Sequence, residues 1–169
     1  VDPAALQRVV RANPQLRWVH TMAAGGGGLV RAADLGPDEL ARVTVTTSAG
    51  VHGGPLAEFA LFGLLAGAKQ LPHLQELQER HEWPERWPMG QLAGSTVLIL
   101  GLGGIGATLA GALRGLGARV IGSNRSGRPV DGVDELVPLD ELTTVLPRGD
   151  AIVGTLPGTP ATGGGLDAA

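Results

Sequence analysis

Thr96 to Arg125 reads TVLILGLGGIGATLAGALRGLGARVIGSNR. An apolar run, Val97-Leu98-Ile99-Leu100, leads directly into Gly101-Leu102-Gly103-Gly104-Ile105-Gly106. Apolar residues then recur at helical spacing (Ile105, Leu109, Ala112, Leu113, Leu116) up to Gly117, and a second apolar run covers Ala118 to Gly122. Strand, glycine turn, helix and strand within about thirty residues make a βαβ unit, the context in which G-x-G-x-x-G carries meaning. Gly101 permits a tight turn, Gly103 lets the backbone approach a pyrophosphate, and Gly106 lets the helix pack closely on the strand. The free N–H groups of the helix N-terminus face the phosphates. The stretch predicts an α/β fold, a Rossmann-type doubly wound parallel sheet that binds a dinucleotide. In a chain with 28 glycines, the motif alone also allows a structural βαβ turn or a nucleoside-cofactor site such as that of a methyltransferase.

The flanking composition agrees with this class. The 169 residues suffice for one ordinary domain or two small ones. With 43% hydrophobic but only 3% aromatic residues, the core is expected to pack small aliphatic side chains. A net charge of −3 without a basic patch argues against a nucleic-acid partner. The absence of cysteine removes disulfides, thiolate metal sites and a cysteine nucleophile, and no metal site is expected. No apolar window of membrane-spanning length and no basic-then-apolar leader is visible, so a soluble, cytoplasmic protein is expected. The chain begins at Val1 and stops at Ala169 in what reads as the opening of a helix, so it reads as a piece of something longer.

Upstream, Asp2-Pro3 is a helix start, with Leu6, Val9 and Val10 on one face and Asn13-Pro14 at the end. Leu16 to His20 alternates as a short strand and runs into Thr21-Met22-Ala23-Ala24-Gly25-Gly26-Gly27-Gly28. Those glycines suit either a flexible surface loop or exposed N–H groups for an anion. Pro37 to Leu40 forms a helical turn, Val43 to Thr46 a strand, and Ser48 to Gly54 a second loop. Pro55 then opens the longest helix, PLAEFALFGLLAGAKQ, apolar nearly all round and hence expected to be buried on all sides, between domains or at a subunit interface. Glu58 within it is either a satisfied structural group or a site residue. Pro72 breaks or kinks the helix, Gln75 to Trp83 is an exposed polar continuation, and Trp83 and Trp87 belong to a proline-rich linker. Beyond the βαβ unit, Leu136-Val137 is a minimal strand, Asp140 caps a short helix, and Asp150 to Thr155 is a further parallel strand. The loop Leu156 to Pro160 follows at its C-terminal end, where ligands bind in such sheets.

The end of the second strand bears on the cofactor. NAD-binding folds of this kind place a carboxylate about 20 positions after the glycine motif to bond the ribose 2′-OH. Here Gly122-Ser123-Asn124-Arg125-Ser126 holds none. Asn124 takes the acidic slot, and Arg125 with the hydroxyls of Ser123 and Ser126 would receive a 2′-phosphate. Arg128 is close enough in sequence to help. NADP is therefore expected in preference to NAD, unless Arg125 is simply a solvated turn residue.

Taken together, TVLILGLGGIG, VIGSNRS, VPLDEL and LPGTPATGGGLD resemble the cofactor domain of the D-isomer-specific 2-hydroxyacid dehydrogenases, glyoxylate/hydroxypyruvate reductase-like members in particular. LRWVHTMAAGGGG resembles that family's strand and substrate loop, and VTVTTSAGVHGGPLAEFAL its interdomain hinge helix. The resemblance implies a partial, flavodoxin-like substrate domain over 1–54, hinge helix and linker over 55–90, and a dinucleotide-binding domain over 91–169. It further implies that Ala24, Gly25 and Gly26 offer N–H groups to a substrate carboxylate. Gly103, Gly104, Ile105 and Gly106, after the turn at Gly101, would hold the pyrophosphate, and Leu156, Pro157 and Thr162 would line the cofactor cleft. Gly26-Gly27 departs from the Val-Asp common in the family's first loop.

In the family, hydride passes between nicotinamide C4 and substrate C2, with an Arg gripping the substrate and a carboxylate-oriented His moving the proton. The resemblance places all three downstream of the segment matching Thr162 to Asp167. No catalytic residue is therefore assigned here: His20 ends a strand, His52 lies in the hinge loop, and His73 and His81 flank or lie on a polar helix. The expectation is the NAD(P)-binding portion of an oxidoreductase acting on a small 2-oxo or 2-hydroxy acid, itself inactive, and a homodimer. The other reading is a cofactor-binding or dimerisation module without chemistry.

Overall fold

The computed structural model describes residues 2–159 and Thr162. The chain divides between His52 and Gly53 into two compact units.

In the first unit, helix α1 (Pro3–Ala12) starts where Asp2 accepts the N–H groups of Ala4 (3.3 Å) and Ala5 (3.2 Å), the cap read from Asp2-Pro3. Strands β1 (Trp18–Thr21) and β2 (Thr44–Thr47) pair in parallel, Trp18 opposite Thr44 and Thr21 opposite Thr47. Two short helices lie between them, α2 (Gly27–Ala32) and α3 (Pro37–Arg42). Both strands sit one residue or more later than their apolar runs suggest, and His20 lies inside β1 rather than ending it. The core is Leu6, Val10, Ala33, Leu35 and Val43. The Arg42 guanidinium donates to the carbonyls of Val10 (3.0 Å), Asn13 (3.0 Å), Pro14 (2.9 Å) and Leu16 (2.7 Å), closing the α1–β1 connection over that core.

The second unit opens with α4 (Gly53–Ala68), which begins two residues before Pro55. Gly53 sits where an added Cβ would stand 3.1 Å from the Gly104 carbonyl oxygen, so a residue without a side chain lets the helix start there. One face of α4 (Ala57, Ala60, Leu61, Leu64, Leu65) packs in the cluster built on Leu109, Ala110 and Leu113. The described residues of the single chain leave the other face uncovered: Phe59 is 73% and Phe62 58% exposed, and Glu58 is exposed too. An apolar sequence makes burial favourable, but the described residues supply a partner for one face only.

Gln70, at φ +54°, ends that run, and α5 (Leu71–Glu79) begins anew with Pro72 in its first turn. Pro72 therefore starts a helix, because its missing N–H is one that a first turn leaves unbonded anyway. Strands β3 (Thr96–Leu100), β4 (Arg119–Ser123), β5 (Glu135–Leu136) and β6 (Ala151–Gly154) form one parallel sheet in the order β5-β4-β3-β6. Helix α6 (Gly104–Gly115) connects β3 to β4, and α7 (Leu142–Val145) precedes β6. Asp140 lies inside a 3-10 turn, Leu139–Glu141, and caps no helix; Pro138 stands at the N-cap of that turn.

β3 is buried on both faces, as its unbroken apolar run requires. Val97, Ile99 and Val120 face the α4–α6 layer. Leu98, Leu100 and Ile121 face Val137, Leu142 and Val145. After β3 the chain builds outward through β4 and β5, then returns to the other side of β3 as β6. The direction of winding therefore reverses beside β3, the place where open α/β sheets bind ligands. No helix among the described residues is long and apolar enough to cross a membrane, and no group of three or more His, Cys, Asp or Glu side chains there could hold a metal.

Candidate functional site: a glycine loop at the switch point

The start of the loop between β3 and α6 is tied from both sides. The N–H groups of Gly101 (3.1 Å) and Leu102 (2.9 Å) both donate to the Ser123 carbonyl, fixing the turn to the end of β4. Thr155, just past β6, donates its hydroxyl to the Gly101 carbonyl from the other side. Gly101 has φ +99°, a backbone conformation that glycine adopts without steric cost. Gly106 is buried, and a Cβ there would lie 2.2 Å from the Gly101 oxygen and 3.1 Å from Ile99 Cγ2. The first and last glycines of the motif are thus required by the chain's own packing.

Gly103 is different. It is exposed, its φ is −82°, and an added Cβ would meet nothing within 4 Å. Among the described residues nothing calls for glycine there, and a backbone without a side chain suits the close approach of a phosphate. Gly103 caps α6 without a side-chain bond, so the N–H groups of Gly104, Ile105 and Gly106 begin the helix without intrahelical partners. Free N–H groups at the start of a twelve-residue helix, before a bare backbone surface, have the geometry and polarity that suit a phosphate. The residues present fit a pyrophosphate.

Beyond β4 the chain turns through Asn124, Arg125, Ser126, Gly127 and Arg128. Asn124, Arg125 and Gly127 face Leu136, Val137 and Pro138 across a cavity of about 370 Å³. Among the described residues, no carboxylate lines it. The structure withdraws Ser123 from the residues expected to meet a 2′-phosphate. Ser123 is 1% exposed, its Oγ has no hydrogen-bond partner, and strand alternation puts it on the Ile121 face. Asn124 is half-buried, and Arg125, Ser126 and Arg128 are exposed.

Leu156 lies against the loop, since a Cβ on Gly101 would stand 3.1 Å from Leu156 Cδ2. Thr162 closes the following turn: its hydroxyl donates to the Pro157 carbonyl and accepts the Thr159 N–H at 3.1 Å. Pro160, Ala161 and the stretch from Gly163 to Ala169 lie outside the described residues. Thr155 was missed in the sequence, as were Val137 and Pro138 as a cavity wall. The only signal for Thr155 is that it ends the DAIVGT run.

In the first unit, Ala24 and Gly25 are exposed and Gly26 is buried. Among the described residues, no hydrogen bond engages their three N–H groups. The loop is pinned from behind, where the Ser48 N–H donates to the carbonyls of Thr21 and Ala23, each at 3.1 Å. His20 is held by Thr46 Oγ1 (2.9 Å from Nδ1) and Ser48 Oγ (3.1 Å from Nε2), His73 packs edge-on against Trp87, and His52 is exposed.

A four-stranded parallel sheet with this loop at its switch point is the framework of a nucleotide-cofactor-binding domain, and known proteins make the class specific. The family profile described as D-isomer specific 2-hydroxyacid dehydrogenase, NAD binding domain, matches residues 61–169, and the chain belongs to that family. It is similar to the structure of a D-isomer specific 2-hydroxyacid dehydrogenase family protein from Aeromonas salmonicida, at 32% identity and TM-score 0.81 over 95% of this chain and 50% of that one. It is also similar to an NADPH-dependent glyoxylate/hydroxypyruvate reductase from Sinorhizobium meliloti solved with NADP and sulfate (29% identity, TM-score 0.75, 88% of this chain and 45% of that one). A glyoxylate reductase from Thermococcus kodakarensis is 29% identical over 91% of this chain and 47% of its own. The chain spans about half the length of these relatives.

Proposed function

We propose that this chain is the cofactor-binding portion of an NADP-preferring oxidoreductase that interconverts a small 2-oxo acid and its 2-hydroxy acid. The observation that carries the preference is Arg125 at a cavity beyond the end of β4, with no carboxylate among the lining residues. A carboxylate there would bond the ribose 2′-OH and repel a 2′-phosphate, whereas a guanidinium attracts the phosphate. The Sinorhizobium relative, NADPH-dependent and solved with NADP, supports the same reading.

In this reading Gly104, Ile105 and Gly106 donate their N–H groups to the pyrophosphate, and Gly103 lets it approach. Leu136, Val137 and Pro138 wall the adenosine side, with Arg125 and Arg128 supplying positive charge. Leu156, Pro157 and Thr162 border the cleft past β6. A bound nicotinamide ring supplies the hydride-carrying carbon. Ala24, Gly25 and Gly26 present N–H groups to the substrate carboxylate. Residues 1–54 then belong to the substrate domain, 55–90 form hinge and linker, and 91–169 bind cofactor. The exposed Phe59 and Phe62 face supports a homodimer.

This reading assigns no proton-transferring residue among the described residues, because the family resemblance places the Arg, carboxylate and His downstream of the segment that begins at Thr162; His20, for its part, has both ring nitrogens engaged by Thr46 and Ser48. By itself the chain is expected to bind cofactor without turnover. Titration with NADPH and NADH side by side tests this: tighter NADPH binding, with the advantage removed by Arg125→Ala, is expected. Equal affinities in the unsubstituted chain would end the NADP reading.

A further inference from the structure

The turn after β4 is closed by its own side chains. Asn124 Nδ2 donates to the Arg128 carbonyl at 2.8 Å. Asn124 Oδ1 accepts the Ser126 hydroxyl at 3.2 Å, and Ser126 Oγ in turn accepts the Arg128 N–H at 3.3 Å. Gly127, at φ +64°, carries the reversal. Both ends of the Asn124 amide are therefore engaged within the turn, which uses only the backbone of Arg128 and leaves both arginine head groups out of the ring; of the two, Arg125 is the one that lines the cavity.

We infer that Asn124 sets the cofactor preference as a positioning residue: it closes the turn that holds Arg125 at the cavity, rather than touching the ribose phosphate itself. The proposal rests on the reading of Arg125 as the 2′-phosphate partner.

The chemistry explains why an amide stands in this position. Closing the ring takes a donor toward Arg128 and an acceptor toward Ser126 on one short side chain, and among side chains of this length only Asn offers both. Aspartate keeps the acceptor, loses the donor and turns a negative oxygen toward the Arg128 carbonyl. The carboxylate that would favour an unphosphorylated ribose is thus the group that opens the turn. Preference is encoded twice at one residue, by the charge Asn124 lacks and by the loop it closes. Ser126 takes the corresponding role, since its hydroxyl bridges Asn124 and the Arg128 N–H and is engaged before any ligand arrives.

The experiment is calorimetric titration of the 169-residue chain with NADPH and NADH, read as the ratio of the two dissociation constants. The chains compared are the unsubstituted one, Asn124→Ala, Ser126→Ala, Arg125→Ala and the double variant Asn124→Ala/Arg125→Ala. Asn124→Ala is expected to cut the NADPH advantage about fivefold to tenfold, the size of one poorly aligned charge-assisted bond, and Ser126→Ala about threefold. In the Arg125→Ala background, adding Asn124→Ala is expected to leave the ratio where Arg125→Ala put it, because a residue acting through Arg125 has nothing left to position.

An additive further loss in the double variant would make Asn124 a direct ligand and overturn the proposal. Equal weakening of both cofactors by Asn124→Ala would show a merely structural role and overturn it too. If Arg125→Ala leaves the ratio unchanged, or neither cofactor binds the unsubstituted chain, the NADP reading beneath the proposal fails and the proposal falls with it.

Discussion

The two glycine-rich loops, Ala23 to Gly28 after β1 and Gly101 to Gly106 after β3, look alike in sequence and differ in what their glycines are for. In the second loop Gly101 and Gly106 are held by backbone: one adopts φ +99°, the other has the Gly101 oxygen 2.2 Å from where its Cβ would be. In the first loop Gly25 and Gly28 meet nothing within 4 Å. Gly26 is required by one side-chain methyl, Thr47 Cγ2, 2.6 Å from its would-be Cβ. Backbone contact makes a glycine irreplaceable, because the carbonyl cannot move without its strand. A methyl contact makes it replaceable once the methyl is removed.

Gly106→Ala is the sharpest way to break this comparison and has the largest expected effect. α6 must move away from the loop, at a cost of about 3 kcal/mol of stability. Urea denaturation together with cofactor titration checks it, and an alanine variant of unchanged stability would refute the packing argument. Gly26→Ala is expected to cost less, about 2 kcal/mol, and Thr47→Ser in the same chain should restore most of that. Failure of the serine to rescue would mean that Gly26 serves another purpose.

Gly103→Ala should leave stability within about 0.5 kcal/mol of the unsubstituted chain. It should nevertheless weaken NADPH about tenfold, because a methyl group then stands between phosphate and backbone. Matched affinities would remove Gly103 from the cradle.

The smallest effect is expected at the opposite ends of the strands. There the Arg148 hydrogen bonds, and next the nearby charges of Arg148 and Arg119, hold the Glu135 carboxyl below the usual carboxylate range. The pair is partly exposed, so its contribution is screened. A depressed folded-state value gives stability that is present above the unfolded value, near 4.5, and lost as pH falls through the folded one. Glu135→Gln should lower the urea midpoint slightly at about pH 7 and progressively less as pH falls below 4.5, with cofactor affinity unaltered throughout. A pH-independent difference would mean the charge is not what matters.

Local sequence made the βαβ unit legible because its signals are contiguous: an apolar run, three glycines at fixed spacing, a helical period and a second run. Asp2 was legible for the same reason, since its cap spans only three residues. The errors share a different cause. The break read at Pro72 is present, between Ala68 and Leu71, but the reversal is made by Gln70 in the left-handed region and Pro72 opens the next helix. The α4 helix reads as buried all round, and among the described residues of this chain only one of its faces is covered. Ser123 reads as a ligand because it neighbours Asn124, but as the last residue of β4 it lies on the buried Ile121 face and is 1% exposed.

From its sequence alone, then, this protein declares a parallel α/β domain, a phosphate-binding loop and a second strand that ends without an acid. Those properties depend on residues within a few turns of one another. Tertiary structure decided which glycines are indispensable, which hydroxyls are free, and that Thr155 ties the loop to a strand some fifty residues later (|i−j| = 54). Such facts depend on which distant backbone comes within van der Waals or hydrogen-bonding distance, and no local pattern of residue types records that.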